Sequence, residues 1–559
     1  MHLPRMMLAA PSSGSGKTMI TCGILQAFCN RGLNPASFKC GPDYIDPMFH
    51  SKVIGTPSGN LDTFFTEPSV TRHLFAKKAK NAGISVLEGV MGIYDGLGGV
   101  SVKASSYDLA SVTDTPVILI VNARGMSRSV IPLIQGYLHY QNQCEKEIWA
   151  DRERQKTHEE LSSDRETRST YETTHGRSRI QGVILNQTTR MTCLLLKEEI
   201  EKQTGVHVYG YVPRLDDAVI ESRHLGLVTP DEIADLKARL MRLAAELEQC
   251  LDLDGILELA QSAADYEEET LELPQSVQAW LPKKEPSAAA PDREPLSMRE
   301  RKLPRIAVAR DEAFCFYYQD NLELLKLLGA ELVPFSPLHD EKLPDQTSGL
   351  LLGGGYPELY AKQLSENTAM KNAIYEAIEN GLPYLAECGG FMYLHETMED
   401  MEGKSWPMCG CIRGNSYHTS KLGRFGYITL RVGMDENNAP VLAETEKDRS
   451  MSDNTGGKTE PFASGFLRQD EFIRAHEFHY FDSTDPGTAY SAKKPTGKRT
   501  WACIHAAEHS VAGYPHLHYW SNPGFAARFV ACAREYLKEE KHWEGGRVFK
   551  KGTGECNAW

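Results

Sequence analysis

Short apolar runs alternate with longer mixed stretches along the first part of the chain. The runs are "MMLAA" (6–10), "ISVLEGV" (84–90), "PVILIVNA" (116–123), "IQGVILNQ" (180–187) and "VHVYGYVP" (206–213). Runs of this length, separated by helix-compatible segments, predict a βα alternation, and hence a mostly parallel sheet with helices on both faces. Residues 231–263 are predicted helical. Between Cys144 and Arg179 the pattern stops: the segment is strongly polar and predicts an inserted, partly disordered loop. Residues 283–304, "KKEPSAAAPDREPLSMRERKLP", are rich in proline and charge and predict a linker.

A second α/β pattern follows. "RIAVAR" (305–310), "ELVPFS" (331–336), "GLLLGGG" (349–355) and "LPYLAECGG" (382–390) are strand-like, with helices expected over 319–329 and 361–380. After Met401 the character turns to β, in "GYITLRV" (426–432), "EFIRAHEFHYF" (471–481) and "WACIHAAEHSVAGYPHLHYW" (501–520). Residues 433–460 are polar and predict another loop. No internal repeat is visible. The expectation is an α/β protein of two domains, one over 1–250 and one over 304–559, joined by a helix and linker over 251–303.

Composition narrows this picture only slightly. The 559 residues exceed the usual size of one domain. The net charge of −14 argues against a broad nucleic-acid surface. The 13 cysteines include no C-x-x-C pair, which suits reduced thiols in a cytoplasm rather than a disulfide framework or a zinc ribbon. No apolar run approaches the ~20 residues that span a bilayer, so no membrane partner is expected. The N-terminal "LPRMMLAA" runs directly into a glycine-rich loop and reads as a first strand.

That loop is "PSSGSGKT", residues 11–18. Backbone N–H groups around Gly14, Ser15 and Gly16, with the N-terminus of the next helix, form a cradle for phosphate oxygens. Lys17 would reach the β/γ-phosphates of ATP, and the Thr18 hydroxyl would hold Mg²⁺. Pro11 stands where the usual motif has its first glycine. Mg²⁺ also needs oxygen ligands. "KCGPDYIDPMFH" (39–50) supplies Asp43 and Asp46; "LEGVMGIYDG" (87–96) supplies Glu88 and Asp95. Carboxylates at the C-terminal ends of parallel strands face the ligand crevice, although a solvated loop charge is the common alternative for each. Asn186 is either an amide for the adenine edge or a turn residue.

In "AECGGFMYL" a thiol sits at a strand-to-helix turn, where glycines allow a sharp elbow and close backbone approach. Backbone amides there, and the glycines 353–355, are candidate oxyanion donors. A lone cysteine is more often a core residue than a nucleophile; the elbow and the C-terminal histidines of "GYPHLHYW" shift Cys388 toward catalysis. His516 and His518 alternate, so a strand would face them oppositely. "RAHEFHYF" carries H-E-x-H rather than H-E-x-x-H, which favours a structural or substrate-lining role over a metal site.

The motifs "APSSGSGKT", "KCGPDYIDPMFH", "LEGVMGIYDG", "RHLGL" (223–227), "AECGGFMYL", "HEFHYF" and "GYPHLHYW", in this order, resemble the cobyrinate a,c-diamide synthase family, the corrin-ring amidases of cobalamin biosynthesis. Cobyrate synthases share the architecture, but their P-loop and terminal histidine motif usually read differently. The resemblance implies a dethiobiotin-synthetase-like P-loop domain fused to a triad-type glutaminase. It implies that Cys388 attacks the glutamine amide with His516 as base. The place two residues after that histidine, often a glutamate in glutaminases, holds His518, so the site is a dyad or its orienter lies elsewhere. It implies ATP and Mg²⁺, with Asp43 and Glu88 as metal- and phosphate-site carboxylates, and Tyr44, Asp46 and Asp95 positioning a corrinoid tetrapyrrole or its phosphorylated intermediate. A homodimer is the expected assembly if the chain self-associates. The same chemistry on nickel sirohydrochlorin or hydrogenobyrinate is the near alternative. A partner-switching P-loop ATPase with an inactive C-terminal domain is the distant one.

Overall fold

A computed structural model describes residues 1–155, 178–215, 230–267, 271, 273–278, 281, 303–433 and 465–543. The motif at 223–227, almost all of the proline-rich segment 283–304, and most of the polar stretches 144–179 and 433–460 lie outside the described residues. The chain divides into two compact units, formed mainly by Met1–Glu272 and by the residues from Leu273 onward.

The first unit is built on a seven-stranded sheet. Its strands are β1 (Arg5–Ala9), β2 (Pro35–Cys40), β3 (Ser58–Leu61), β4 (Ile84–Glu88), β5 (Val117–Asn122), β6 (Ile180–Asn186) and β7 (His207–Val212), in the order β3-β2-β4-β1-β5-β6-β7. Every pairing is parallel. The central strands β1, β2 and β4 are buried along their whole length, as a sheet covered on both faces requires. Between them run α1 (Lys17–Asn30), α2 (Ile45–Phe49), α3 (Pro68–Ala79), α4 (Ser106–Val112), α5 (Val130–Gln155) and α6 (Arg190–Thr204), and α7 (Pro230–Cys250) and α8 (Leu253–Gln261) close the unit.

Helix α1 is buried nearly all round, because α7 covers the side turned away from the sheet. Leu240, Leu243, Ala244 and Leu247 of α7, spaced i, i+3, i+4, i+7, join the core that holds Ile20, Ile24 and Phe28. Gly23 makes this approach possible: a Cβ there would stand 2.4 Å from Leu247 Cδ1. The helix expected over 231–263 is two helices. They break at Asp252, whose side chain accepts from Gly255 N at 2.9 Å and starts α8. Helix α8 buries Leu253, Ile256 and Leu259 in the same core, so this part of the expected connecting segment is integral to the first unit. The polar stretch after Cys144 also opens differently from expectation, since α5 continues to Gln155. Its buried stripe runs Ile134, Gln141, Cys144, Ile148. The period is helical, but Gln141 and Cys144 disguise it in an apolar pattern.

The second unit carries a six-stranded sheet. It contains β8 (Arg305–Ala309), β10 (Glu331–Phe335), β11 (Gly349–Leu352), β13 (Tyr384–Glu387), β22 (His505–Ala507) and β23 (Ser510–Gly513), in the order β10-β8-β11-β13-β23-β22. The pairings are parallel except that of β22 with β23. A short ladder joins β9 (Phe314–Phe316) to β12 (Gly354–Gly355). Helices α9 (Gln319–Leu327), α10 (Thr368–Glu379), α11 (Gly389–Leu394) and α12 (Pro523–Trp543) lie between and after these strands. The β-rich end forms two further sheets. One holds β14 (His395–Glu399), β15 (Ser405–Pro407), β16 (Ile412–His418) and β19 (Phe481–Ser483). The other holds β17 (Arg424–Val432), β18 (Ile473–His479), β20 (Tyr490–Lys493), β21 (Thr500–Cys503) and β24 (His516–Leu517). Among the described residues no helix is long and apolar enough to cross a membrane.

Candidate functional site

Each unit concentrates its chemistry at the C-terminal ends of its parallel strands. In the first unit β1 sits at the switch point, with β4, β2 and β3 on one side and β5, β6 and β7 on the other. The loop leaving β1 turns through Gly14 (φ 73°) and Gly16 (φ 89°), conformations that glycine adopts without strain. A Cβ on Gly16 would also meet Asn186 Nδ2 at 2.4 Å. Helix α1 then begins with no side-chain cap and no acidic residue in its first turn, so its leading amides are left for an anion. Pro11 is accommodated where the loop departs, and its carbonyl accepts from the Tyr137 hydroxyl at 3.2 Å.

Lys17 is buried, and its Nζ donates to Ser12 O at 3.1 Å and Met91 O at 2.6 Å. Burial, with the nearby charge of Lys39 adding, pulls it down to about 8. Thr18 Oγ1 donates to Glu88 Oε1 at 2.7 Å and lies 3.5 Å from Asp46 Oδ2. Between these carboxylates sits a residue that motif reading passed over. Lys39 Nζ is 2.6 Å from Asp46 Oδ2 and 2.7 Å from Glu88 Oε1. Lys39 and Glu88 are register partners on β2 and β4, so the parallel ladder itself brings them together. Burial pushes Glu88 up to about 7 against the pull of Lys39. For Asp46 burial is outweighed by Lys39, and its value falls. For Lys39 burial is outweighed by the two carboxylates, and its value rises.

The structure thus gathers Thr18, Asp46 and Glu88. Asp43 lies beside them, within reach of the charges of Asp46 and Lys39, and its Oδ1 accepts from Ile45 N at 2.8 Å and Asp46 N at 3.2 Å at the start of α2. Tyr44 is buried beside it. Asp95 is exposed and closes its own turn, accepting from Gly92 N at 2.9 Å. Asn186 ends β6 and braces the phosphate loop: Nδ2 donates to Ser15 O at 2.8 Å and Oδ1 accepts from Gln187 N at 2.8 Å. It stands at the loop by holding it, rather than by presenting a free amide edge.

Glu88 Oε2 is buried without a hydrogen-bond partner. An orphaned carboxylate oxygen beside a second carboxylate and a hydroxyl fits a hard cation. Among the described residues no group of three or more His, Cys, Asp or Glu side chains forms a metal cage. Mg²⁺ needs none, since it completes its shell with water and phosphate oxygens.

In the second unit Cys388 stands between β13 and α11 with φ 47° and ψ −104°. A non-glycine residue in this region is strained and must be held by its surroundings. The clamps are Cys388 N on Gly513 O at 2.8 Å and Gly390 N on Gly353 O at 2.9 Å. A Cβ on Gly390 would stand 2.3 Å from Leu352 O. Burial, then the charge of Glu358, raises the thiol well above its ordinary value, while the Gly389 N–H bonded to it opposes the shift.

The glycine run 353–355 borders the elbow and His516: Gly353 O accepts from Gly390 N at 2.9 Å, and a Cβ on Gly354 would stand 2.4 Å from His516 Cε1. Gly353 N donates to the Tyr317 hydroxyl at 2.9 Å, which in turn donates to Ala309 O; this amide is therefore already engaged. His516, on β24, lies opposite His476 on β18, and their rings stack at 4.9 Å and 18°. Burial, then His479, brings His516 down to about 3; burial, then Arg474, does the same for His518. Glu477 turns away toward Arg424, with 3.9 Å from Oε1 to Nη1, and the His479 ring stacks on Tyr514 at 4.2 Å. Reading from sequence also passed over Glu387, which ends β13 next to the thiol. It accepts from the Tyr519 hydroxyl at 3.1 Å, and burial pushes it up to about 8.

Residues 6–227 match the CobQ/CobB/MinD/ParA nucleotide binding domain, and residues 305–524 match the CobB/CobQ-like glutamine amidotransferase domain. Fold and site thus define a nucleotide-binding unit and a glutamine amidotransferase unit on one chain. Three relatives named cobyrinate a,c-diamide synthase align over nearly all of it. The protein of Caldanaerobacter subterraneus subsp. tengcongensis is 33% identical over 94% of this chain and 97% of its own. That of Dehalococcoides mccartyi is 34% identical over 96% and 99%, and that of Listeria innocua 34% over 95% and 99%. The chain belongs to the cobyrinate a,c-diamide synthase family.

Proposed function

We propose that this chain is a glutamine-dependent carbon–nitrogen ligase that uses ATP to amidate the a and c acetate carboxylates of cobyrinate, in cobalamin biosynthesis. The observation that carries this is the pairing on one chain of a strained, clamped cysteine elbow with a buried histidine, and a phosphate loop backed by carboxylates. The glutaminase domain is assigned to 304–559 and the amidoligase domain to 1–250, with α8 at the start of the 251–303 connection packed into the amidoligase core.

In the glutaminase site the thiol and His516 both rest neutral. His516 accepts the Cys388 proton as Sγ attacks the side-chain carbonyl of glutamine. The C–N bond breaks, ammonia leaves with that proton, and the glutamyl thioester is hydrolysed to glutamate. The Gly389 N–H is a donor for the developing charge. In the other unit the loop amides and Lys17 bind the ATP phosphates, and a macrocycle carboxylate oxygen attacks the γ-phosphorus, releasing ADP. The acyl phosphate gives the carboxylate a leaving group; ammonia attacks its carbon and phosphate departs. Thr18, Asp46 and Glu88 would hold Mg²⁺, which when bound neutralises charge on the transferring phosphoryl group. Asp43 keeps its expected place among the metal- and phosphate-site carboxylates, Tyr44 and Asp95 are assigned to the macrocycle side, and Asn186 to support of the nucleotide loop.

The relatives are named for cobyrinate, which favours it over nickel sirohydrochlorin and hydrogenobyrinate. The presence of both Cys388 and His516 disfavours a partner-switching ATPase. Among the described residues no two cysteines form a disulfide, which supports work in a reducing cytoplasm. The test is to offer cobyrinate, hydrogenobyrinate and nickel sirohydrochlorin with ATP, Mg²⁺ and glutamine, and to count amides by mass spectrometry. Two amidations of cobyrinate, each with one ATP and one glutamine consumed, are expected. Amidation of nickel sirohydrochlorin alone would reassign the substrate, and absence of glutamine hydrolysis with every ring would reject the ligase.

A further inference from the structure

Lys39 occupies an unusual place. It lies in a strand whose six residues are all buried, between β3 and β4 of a parallel sheet. A buried lysine needs paired charge, and this one contacts two carboxylates at once: Asp46 Oδ2 at 2.6 Å and Glu88 Oε1 at 2.7 Å. Glu88 Oε1 also accepts from Thr18, the hydroxyl of the phosphate loop. The ammonium therefore sits on one oxygen of each carboxylate assigned to Mg²⁺, Asp46 Oδ2 and Glu88 Oε1, beside the unpartnered Glu88 Oε2. The other basic group at hand does not share this task. His50 Nε2 is 3.7 Å from Glu88 Oε2, and its Nδ1 is bonded to Ser37 Oγ at 3.0 Å. Lys17 is turned to the carbonyls of Ser12 and Met91.

We infer that Lys39 is a built-in counter-cation that keeps the carboxylate pair from taking a divalent ion until the nucleotide arrives. The inference rests on reading this loop as the Mg²⁺·ATP site. Two buried carboxylates and a hydroxyl would attract a bare divalent ion. With Lys39 on Asp46 Oδ2 and Glu88 Oε1, an ion arriving alone at Glu88 Oε2 meets a buried ammonium on the neighbouring oxygens, and it gains few ligands in return. Phosphate oxygens change both sides of this exchange, because they give the ion further ligands and give Lys39 another anion to face. Metal and nucleotide binding are then coupled, each strengthening the other by the same factor.

The test uses Mn²⁺ as probe, titrated by EPR on the full chain with and without a non-hydrolysable ATP analogue. Wild-type protein should bind Mn²⁺ at least about tenfold more tightly with the analogue than without it. Lys39→Met should bind Mn²⁺ without nucleotide at least about tenfold more tightly than wild type does. Lys39→Arg should behave as wild type, and adding Glu88→Gln to Lys39→Met should remove the gain. No gain in Lys39→Met, or a gain that survives Glu88→Gln, overturns the inference. Should Lys39→Met fail to fold, the wild-type titration still decides: equal Mn²⁺ affinity with and without the analogue overturns the inference, and nucleotide-dependent binding supports it. Wild type that binds the analogue but no Mn²⁺ with it would instead overturn the reading of the site.

Discussion

The two sites meet the cost of burying ionisable groups in opposite ways. In the nucleotide site Lys39 Nζ lies 2.6 Å from Asp46 and 2.7 Å from Glu88, and the one ammonium offsets burial of both carboxylates, although Glu88 is still raised to about 7. In the glutaminase site burial drives the groups toward neutrality: the Cys388 thiol is raised, His516 is lowered to about 3 and Glu387 is raised to about 8. Buried charge is tolerable only when paired. A site for a polyanion can keep its charges separated in advance. A site whose nucleophile must stay unreactive until an amide arrives is better left neutral, with its ion pair formed during attack.

The largest effect that would break this comparison is a thiol that does not matter. Cys388→Ser changes one atom and should leave packing intact. Glutamine-dependent diamide formation should fall by roughly 10⁴-fold or more, since serine is a far weaker nucleophile that the site does not activate. Formation from concentrated ammonia at mildly alkaline pH should persist, and His516→Ala should show the same division. Equal losses with both nitrogen donors would mean that the elbow is a packing feature.

Lys17→Ala probes the charged site in the same assay. It removes one phosphate contact, so amidation should fall by about 10² to 10³-fold with glutamine and with ammonia alike, while glutamine hydrolysis without amidation survives. Retention of ammonia-dependent amidation would detach the loop from the reaction.

Legibility from sequence also divides between the sites. The phosphate loop is local, and its spacing could be read directly. Which aspartate of "PDYIDP" faces Glu88 could not, because the turn at 43–46 sends Asp43 onto backbone amides and Asp46 inward. Lys39 was not legible either: "PASFKC" (35–40) is not among the predicted strands, because proline, serine and the lysine itself interrupt its apolar pattern. In the second unit the elbow was legible from "AECGG". The stacking of His476 on His516 was not, since it depends on the register of β18 against β24, set by strands far apart in sequence.

That stacking carries a smaller prediction. His476 is a positioning residue if its flat ring holds His516 in line with the thiol. His476→Ala should lower kcat for glutamine hydrolysis by about tenfold to 100-fold with KM nearly unchanged, and spare ammonia-dependent amidation. His476→Phe keeps a flat ring and should recover most of kcat. A phenylalanine variant as poor as the alanine one would show that imidazole chemistry, not stacking, is what His516 needs.

The smallest effect tests neutrality itself, at Glu387. Its carboxyl is buried beside Cys388 and pushed up to about 8, well above the ordinary glutamate value of about 4.3. The folded state therefore keeps the proton where the unfolded chain has lost it. Stability from this group is fully present below the unfolded value, declines as pH rises, and is gone once pH passes about 8. Glu387→Gln preserves size and an acceptor oxygen for the Tyr519 hydroxyl but cannot titrate. Calorimetric unfolding of both proteins from pH 5 to pH 9, outside any assay of activity, reads the difference. The glutamine variant should gain on wild type steadily up to about pH 8, by a few degrees in Tm, and the gap should then level off. A gap that stays constant across the range would mean that Glu387 ionises normally in the folded protein. The glutaminase site would then hold a permanent negative charge next to its thiol, and the contrast with the nucleotide site would fail at that residue.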